Sequence, residues 1–337
     1  MKRYNFLYDD IVDYANIRHA FLKTLRGNRQ SFAAMNFCKS INENLDLIRK
    51  KLLTLNSDWG NYRSFTISDP KPRTISTAPF EQRVMHHAIM NVIENIFERQ
   101  SIYHTYACRK GKGTHAAVHY AFKQCKTKRF FLKLDIRKYF DSIDHETLKV
   151  LLRKIIKDKK VIFLLDGIID SYETTDGRGV PIGNLTSQFF ANYYLSGLDH
   201  YILEELHAPA YCRYMDDFVV WASSQAELKA MFVHINNYVS QKLKLSIKQP
   251  VFGKTSAGLP FLGFLIKEKG IYLLQKSKKR FLKRMSEITT LLYQNSISEE
   301  KAAERTRSTF AAIDLAQTAG LRKKVCAKGE LLLGLGA

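Results

Sequence analysis

The sequence is short of cysteine, of acidic residues and of long apolar runs. Its five cysteines (Cys38, Cys108, Cys125, Cys212 and Cys326) include no CxxC pair, and an odd number leaves no complete disulfide set. They read as reduced thiols of a cytoplasmic protein. The ten histidines form no HExxH pattern, and adjacent His86 and His87 point in different directions on a helix, which argues against a zinc site. No apolar run approaches the ~18 residues of a membrane span. Asp9, Asp10 and Asp13 interrupt what would be the apolar core of a signal peptide. Neither a membrane span nor secretion is expected, and no internal repeat or low-complexity tract appears.

The acidic shortage is the loudest bulk signal. Lys plus Arg is 53 and Asp plus Glu is 32, a net charge of +21 over 337 residues. That excess suits a polyanion, of which nucleic acid is the commonest, although a solvated basic surface gives the same sum. At roughly 150 residues per domain the length allows about two domains or one lobed unit.

Residues 1–60 read as helical. Pro70, Pro72 and Pro79, with β-branched residues between them, mark 61–80 as extended or hairpin structure. Val84, Ala88, Ile89, Val92, Ile93 and Ile96 form a helical stripe over 81–99. Residues 109–138 carry ten basic residues and a single acid, Asp135. That aspartate ends the apolar run 130–136, a candidate buried strand. Asp144 is placed to cap a helix with an apolar stripe at Leu148, Leu151, Leu152, Ile155 and Ile156. A glycine-rich loop over 176–184 precedes a helix expected from about Thr186 to Leu206. Residues 211–222 read as two strands joined at Met215–Asp216–Asp217. A second hairpin is expected over 261–275. The rest is helical, with Ser296 and Glu299 spaced as a capping box and a net charge of +7 from 270 onward.

Three carboxylates therefore lie in apolar, strand-like sequence: Asp135, Asp216 and Asp217. Such groups are costly unless paired or bound to a cation. An Asp-Asp pair can also simply shape a turn. Carboxylates gathered from separate strands are what two-ion nucleotidyl transfer requires, with Mg²⁺ as the natural hard ion.

The strings YMDD at 214–217, DIRKYFDSI around Asp135, and FLGF at 261–264 resemble, in that order, the palm motifs of reverse transcriptases. The resemblance spans about residues 60–265. It implies an α+β right-hand polymerase with an antiparallel palm. Its parts would be an N-terminal helical region (1–60), fingers (61–130), a palm (131–265, with a fingers insertion at about 145–178) and a basic helical thumb (266–337). It implies Asp135, Asp216 and Asp217 as catalytic ligands of two Mg²⁺ ions, for which Mn²⁺ can substitute. Lys71, Arg73, Arg83, Phe140, Ile182 and Gly183 would line the dNTP site, with Phe140 blocking a ribose 2′-hydroxyl. Arg83 has a competing use, pairing with an acid such as Glu81 or Glu94. Arg109, Lys112, Gln188, Phe261, Leu262, Gly263, Lys276, Lys279 and Arg280 would meet template or primer. Gly263 would let backbone approach backbone in the primer grip.

The glycine loop departs from the common pattern. Many of these enzymes have Pro-Gln-Gly there, whereas this chain has Pro181-Ile182-Gly183, with Gln188 in place of a later proline. The string IGNLTSQ is similar to that of the reverse transcriptases of bacterial and phage diversity-generating retroelements, with which the compact length also agrees. That subfamily implies copying of a structured template RNA, a small basic accessory variability protein as partner, and errors opposite template adenines. Retron or group II intron-like enzymes are the nearest alternative; they usually have alanine at the position of Met215. Outside the class stand a non-catalytic RNA-binding protein on the same palm and a nuclease using the same carboxylates. The nuclease has no use for Phe140 or the basic segment before it.

Overall fold

The computed structural model describes residues 3–68 and 72–332. Four short helices (Tyr8–Val12, Tyr14–Leu25, Phe32–Cys38 and Ile41–Leu53) gather around the long helix Phe80–Gln100. The long helix buries Val84, Ala88, Ile89, Ile93 and Ile96 of the expected stripe. Between them in sequence comes the hairpin β1 (Arg63–Ser68) and β2 (Pro72–Thr77), paired antiparallel from Arg63 opposite Thr77 to Ser68 opposite Pro72.

The central sheet holds β3 (Phe130–Asp135), β4 (Ala210–Tyr214), β5 (Asp217–Ala222) and β6 (Val251–Lys254) in the antiparallel order β4-β5-β3-β6. Both faces are covered. Leu132, Leu134, Phe218 and Val220 join the large core that reaches back to the N-terminal helices. Phe131, Cys212, Val219 and Trp221 join a second core with the helix Thr114–Thr127. Burial on both sides is why these strands read as continuous apolar runs rather than alternating ones. Gly253 lies opposite Phe131, whose ring fills the space a Cβ would take.

Asp144 caps the helix His145–Ile155 as expected, accepting from the Thr147 N–H at 2.9 Å. The helix expected from about Thr186 is interrupted. It runs Leu185–Tyr194, restarts at Ser196–His200 and ends in a π turn, Tyr201–Glu205. At the break, the Ser196 hydroxyl donates to the Gln100 carbonyl at 2.8 Å.

A small sheet, β7 (Leu259–Phe261), β8 (Phe264–Lys267) and β9 (Gly270–Leu273), leads into helices Gln275–Tyr293, Glu299–Ala311 and Ala319–Leu332. Ser298, not Ser296, caps the second of these, accepting from the Lys301 N–H at 3.3 Å. Ser296 is already used to close the preceding helix. Asn295 is left-handed (φ 53°), its N–H reaches the Leu292 carbonyl, and the Ser296 N–H reaches that of Leu291 at 2.8 Å. That is a Schellman ending, which places Ser296 outside the next helix. Among the described residues no helix is long and apolar enough to cross a membrane. All five cysteines are free.

Candidate active site

Asp135 is the last residue of β3 and lies opposite Asp217, the first residue of β5. Tyr214 also pairs with Asp217, so Met215 and Asp216 form the two-residue tip of the β4–β5 hairpin. The tip is tied to β3, with the Ile136 N–H donating to the Asp216 carbonyl at 3.3 Å. All three aspartates thus sit at one end of the central sheet, as the sequence predicts.

Their electrostatics follow from this clustering. Burial raises the Asp216 carboxyl above the usual range, and Asp135 raises it further. Burial pushes Asp217 up to about 7, against the pull of Lys133, with Asp135 and Asp216 adding to the rise. One Asp217 oxygen, Oδ1, is buried without a partner. The other is 3.2 Å from Lys133 Nζ. Lys248 Nζ donates to Asp135 Oδ1 at 2.5 Å, while its backbone N–H donates to the Asp135 carbonyl at 2.8 Å. The carboxylates are neighbours, and Lys133 and Lys248 each pair with one of them. Among the described residues no three His, Cys, Asp or Glu side chains converge as a preformed metal cluster.

The glycine loop and the β1–β2 hairpin make one wall beside the aspartates. The Ser76 N–H donates to the Ile182 carbonyl at 2.8 Å. Gly183 is at φ +116°, and a Cβ there would meet Ile75 Cγ2 at 2.7 Å, so the close approach depends on glycine. Buried Asn184, which the sequence reading passed over, clamps the same contact. It donates to the Ser76 carbonyl (3.1 Å) and accepts from the Ala78 N–H (3.0 Å). The Val180 N–H reaches the Phe140 carbonyl at 2.9 Å, which brings half-buried Phe140 alongside the loop. Arg73 is exposed on β2, and its charge lowers the Asp216 carboxyl, opposing the effects of burial and Asp135. Lys71 lies outside the described residues.

The family model described as "Reverse transcriptase (RNA-dependent DNA polymerase)" matches residues 67–266, more than half of the chain. The chain belongs to the reverse transcriptase family. The matched span holds the three aspartates, β2, the glycine loop and the whole central sheet.

Among curated relatives, this reverse transcriptase is 24% identical to Protein YkfC of Escherichia coli over 316 residues, 79% of this chain and 76% of that protein. It is 29% identical to the group II intron-encoded protein LtrA of Lactococcus lactis over 140 residues, 40% of this chain and 23% of that protein. An uncharacterized 91 kDa protein in a Schizosaccharomyces pombe cob intron is 29% identical over 149 residues, 42% of this chain. The aligned parts cover only 17% of the fission yeast protein and 23% of LtrA. A solved Candida tropicalis telomerase structure aligns with 77% of this chain and 54% of its own, at a TM-score of 0.49 and 16% identity.

Several residues expected to touch nucleic acid are engaged elsewhere. The Arg109 side chain is only 10% exposed. Its guanidinium chelates Glu98 (2.6–3.0 Å) and donates to the Ile102 carbonyl, the Thr105 carbonyl and the Thr105 hydroxyl. It braces a turn, with most of its donors spent within the protein. Lys112 Nζ lies 3.4 Å from the Tyr103 ring centroid and donates to the Tyr103 carbonyl. Phe261 is 1% exposed in the second core, so it supports the turn rather than meeting a primer. The turn itself is Leu262–Gly263, at φ 48° and 90°. The Gly263 carbonyl accepts from Ser277 Oγ at 2.7 Å, which docks the turn on the first thumb helix. Neither acid considered for Arg83 is its partner. Glu81 pairs with Lys51 at 2.7 Å and Glu94 with Lys110 at 3.4 Å. The half-buried Arg83 guanidinium lies 5.4 Å from the Phe80 ring centre, and its Nε has no partner.

The remaining expected residues lie on the glycine-loop helix and around the Leu262–Gly263 turn. Gln188 accepts from the Cys108 thiol at 3.4 Å. Lys276 and Lys279 are exposed on the first turns of the Gln275–Tyr293 helix. Arg280, half-buried, lines a cavity with Leu262, Gly263 and Arg284.

Proposed function

We propose that this chain copies an RNA template into DNA, adding dNTPs to a primer 3′ end. The observation that carries the reading is the pairing of Asp135 with Asp217, with Asp216 at the tip between them and Arg73 acting on it electrostatically. The donor set suits hard divalent cations: carboxylates from two strands and a turn, with an unpartnered buried oxygen on Asp217. Asp135 and Asp216, completed by Asp217, would hold two Mg²⁺ ions, or Mn²⁺ in their place. Bound there, the ions would activate the primer 3′-hydroxyl and neutralise the departing pyrophosphate.

The chain's own residues do the positioning. Arg73, with Lys71 and Arg83 near it in sequence, receives the triphosphate. Phe140 lies under the sugar and excludes a 2′-hydroxyl. The Ile182–Gly183 wall backs the nascent base pair, and Gln188 stands on the template side of it. Leu262 and Gly263 guide the primer strand, with Lys276, Lys279 and Arg280 on the backbone of the RNA/DNA hybrid. Primer extension on RNA by the purified protein, run beside Asp216→Asn, tests the reading. Extension by the variant at the wild-type rate would end it.

Two narrower readings are supported by different observations. Ile182 in the loop string IGNLTSQ favours a diversity-generating enzyme, error-prone at template adenines, serving mutagenic retrohoming in the cytoplasm of a bacterium with an accessory protein. Apolar Ile182 withholds an oriented hydrogen bond worth ~1–3 kcal/mol of selectivity. The likeness to LtrA favours an intron-type enzyme instead. Sequencing the cDNA separates them. Errors concentrated opposite adenine, reduced by Ile182→Gln, support the first. An even error spectrum unchanged by that substitution supports the second.

A further inference from the structure

One buried charged group serves none of the roles above. Arg213 is 1% exposed and Asp199 is fully buried. The guanidinium grips the carboxylate with two bonds, Nε to Oδ1 at 2.7 Å and Nη2 to Oδ2 at 2.6 Å. Its other N–H groups reach the Asn192 side-chain oxygen (3.2 Å), the Asn192 carbonyl (3.1 Å) and the Met215 carbonyl (2.9 Å). All five guanidinium donors are thereby used. Tyr211 completes the cluster, its hydroxyl donating to Asp199 Oδ1 at 2.7 Å.

The bond to Met215 is the informative one. Met215 is at φ 57°, a left-handed conformation uncommon for a residue with a long side chain. Such a residue persists where its surroundings over-determine it. The peptide that follows Met215 leads directly into Asp216, so the direction of its carbonyl sets the plane from which the Asp216 side chain leaves the tip. We propose that Arg213 is a positioning residue for catalysis: held rigid by Asp199 and Asn192, it locks the Met215 carbonyl and thereby aims Asp216.

Stability alone is a weak reason for this arrangement. Desolvating a buried ion pair offsets most of its attraction, and apolar replacements of similar volume are often neutral. What such replacements remove is the fork-shaped donor that reaches Met215. Lysine, a flexible point charge, cannot hold Asp199 by two bonds and Met215 at once.

The inference rests on the polymerase reading, and the experiment separates the two. In the triple variant Arg213→Met/Asp199→Leu/Tyr211→Phe no buried charge or hydroxyl of the cluster is orphaned. Melting temperature, kcat, KM for dNTP and Mn²⁺ affinity by electron paramagnetic resonance are measured for it, for Arg213→Lys and for the wild type. The triple variant is expected to melt within a few degrees of the wild type. Its kcat should fall about 10- to 100-fold, the scale of a misplaced reacting group, with KM for dNTP moving less than about threefold. Mn²⁺ affinity should fall with kcat. Arg213→Lys should lose kcat in the same sense if the triple variant does not fold. Full kcat in a folded triple variant, or in Arg213→Lys, would overturn the positioning role. A wild type that fails to extend any primer would overturn the polymerase reading instead.

Discussion

In the palm, β3 and β5 are buried on both faces, and the sheet is covered by two separate cores. From Gln275 onward the chain is three helices, and the side chains described there as buried are few: Phe281, Ile288, Ala302, Thr309, Ile313, Ala316 and Thr318. Phe281 meets Phe310 edge to face at 5.6 Å, the main aromatic contact between the first two of these helices. In the palm, Arg213 and Asp199 form a fully buried ion pair. The first thumb helix instead displays six basic residues and one acid between Gln275 and Tyr293. One region is built to hold atoms still and the other to present charge. Perturbing each should therefore move different observables.

The largest effect belongs to the palm tip. Asp216→Asn keeps size but replaces one anionic oxygen ligand with a neutral amide nitrogen that donates. Extension should fall by about a thousandfold or more, a barrier change of ~4 kcal/mol. The melting temperature should hold or rise, because burial and Asp135 already oppose the ionised Asp216. A variant that loses activity only by unfolding would break the distinction between site and scaffold.

Core truncation tests the scaffold itself. Phe218 is fully buried in β5, and Phe218→Ala should cost about 3–5 kcal/mol. Phe281→Ala, on a helix with a thin apolar face, should cost less and open the thumb locally. Hydrogen exchange reads both. Equal, global loss of protection in the two variants would mean that palm and thumb unfold as one cooperative unit.

What could be read in the sequence divides along the same line. The palm hairpin was legible because two apolar runs flank a two-residue tip. The Asp144 cap was legible because the aspartate directly precedes a helical stripe. Both signals lie within a few residues. Arg109 reads as a phosphate ligand because its partner Glu98 lies on the preceding helix, eleven residues away. In a run of ten basic residues nothing local separated a brace from a phosphate ligand. Arg213 was passed over for the same reason: a charge in an apolar strand signals a buried partner, but only the fold brings Asp199 and Asn192 to it. Ser296 reads as a cap in the sequence because the start of one helix cannot be judged without the end of the previous one. Phe261 sits in a motif string, and only packing against the second core shows that its ring faces inward.

Acid should expose a further difference. Burial holds His86 down to about 3, and burial with Lys23 and Arg83 holds His87 down to about 4. The folded pKa is below the ordinary 6.5, so the unfolded chain binds more protons between the two values. Stability is then fully present above about 6.5 and falls as pH drops toward 4 and 3. At pH 5 the loss is about 1–2 kcal/mol for the fully buried His86. No histidine lies beyond His234, so the thumb has no such term. His86→Phe keeps the stack on Trp59, whose ring centre is 5.3 Å away, and should shrink the difference in denaturation midpoint between pH 7 and 5. An unchanged difference would move the acid sensitivity elsewhere.

The smallest expected effect concerns the thumb surface. Lys276 and Lys279 stand at the N-terminal end of their helix, where the macrodipole is already positive. A cation there works slightly against helix stability, a cost that an anionic partner would offset. Lys276→Ala/Lys279→Ala should leave kcat untouched and leave the helix as stable or slightly more so. Affinity for an RNA/DNA hybrid should drop modestly, and the slope of log affinity against log salt should flatten by about one for each lysine removed. The slope matters more than the affinity: a loss of binding with an unchanged slope would mean that the two lysines act by shaping the helix rather than by meeting phosphates. The contrast between a palm that positions and a thumb that attracts would then need a different set of thumb cations to carry it.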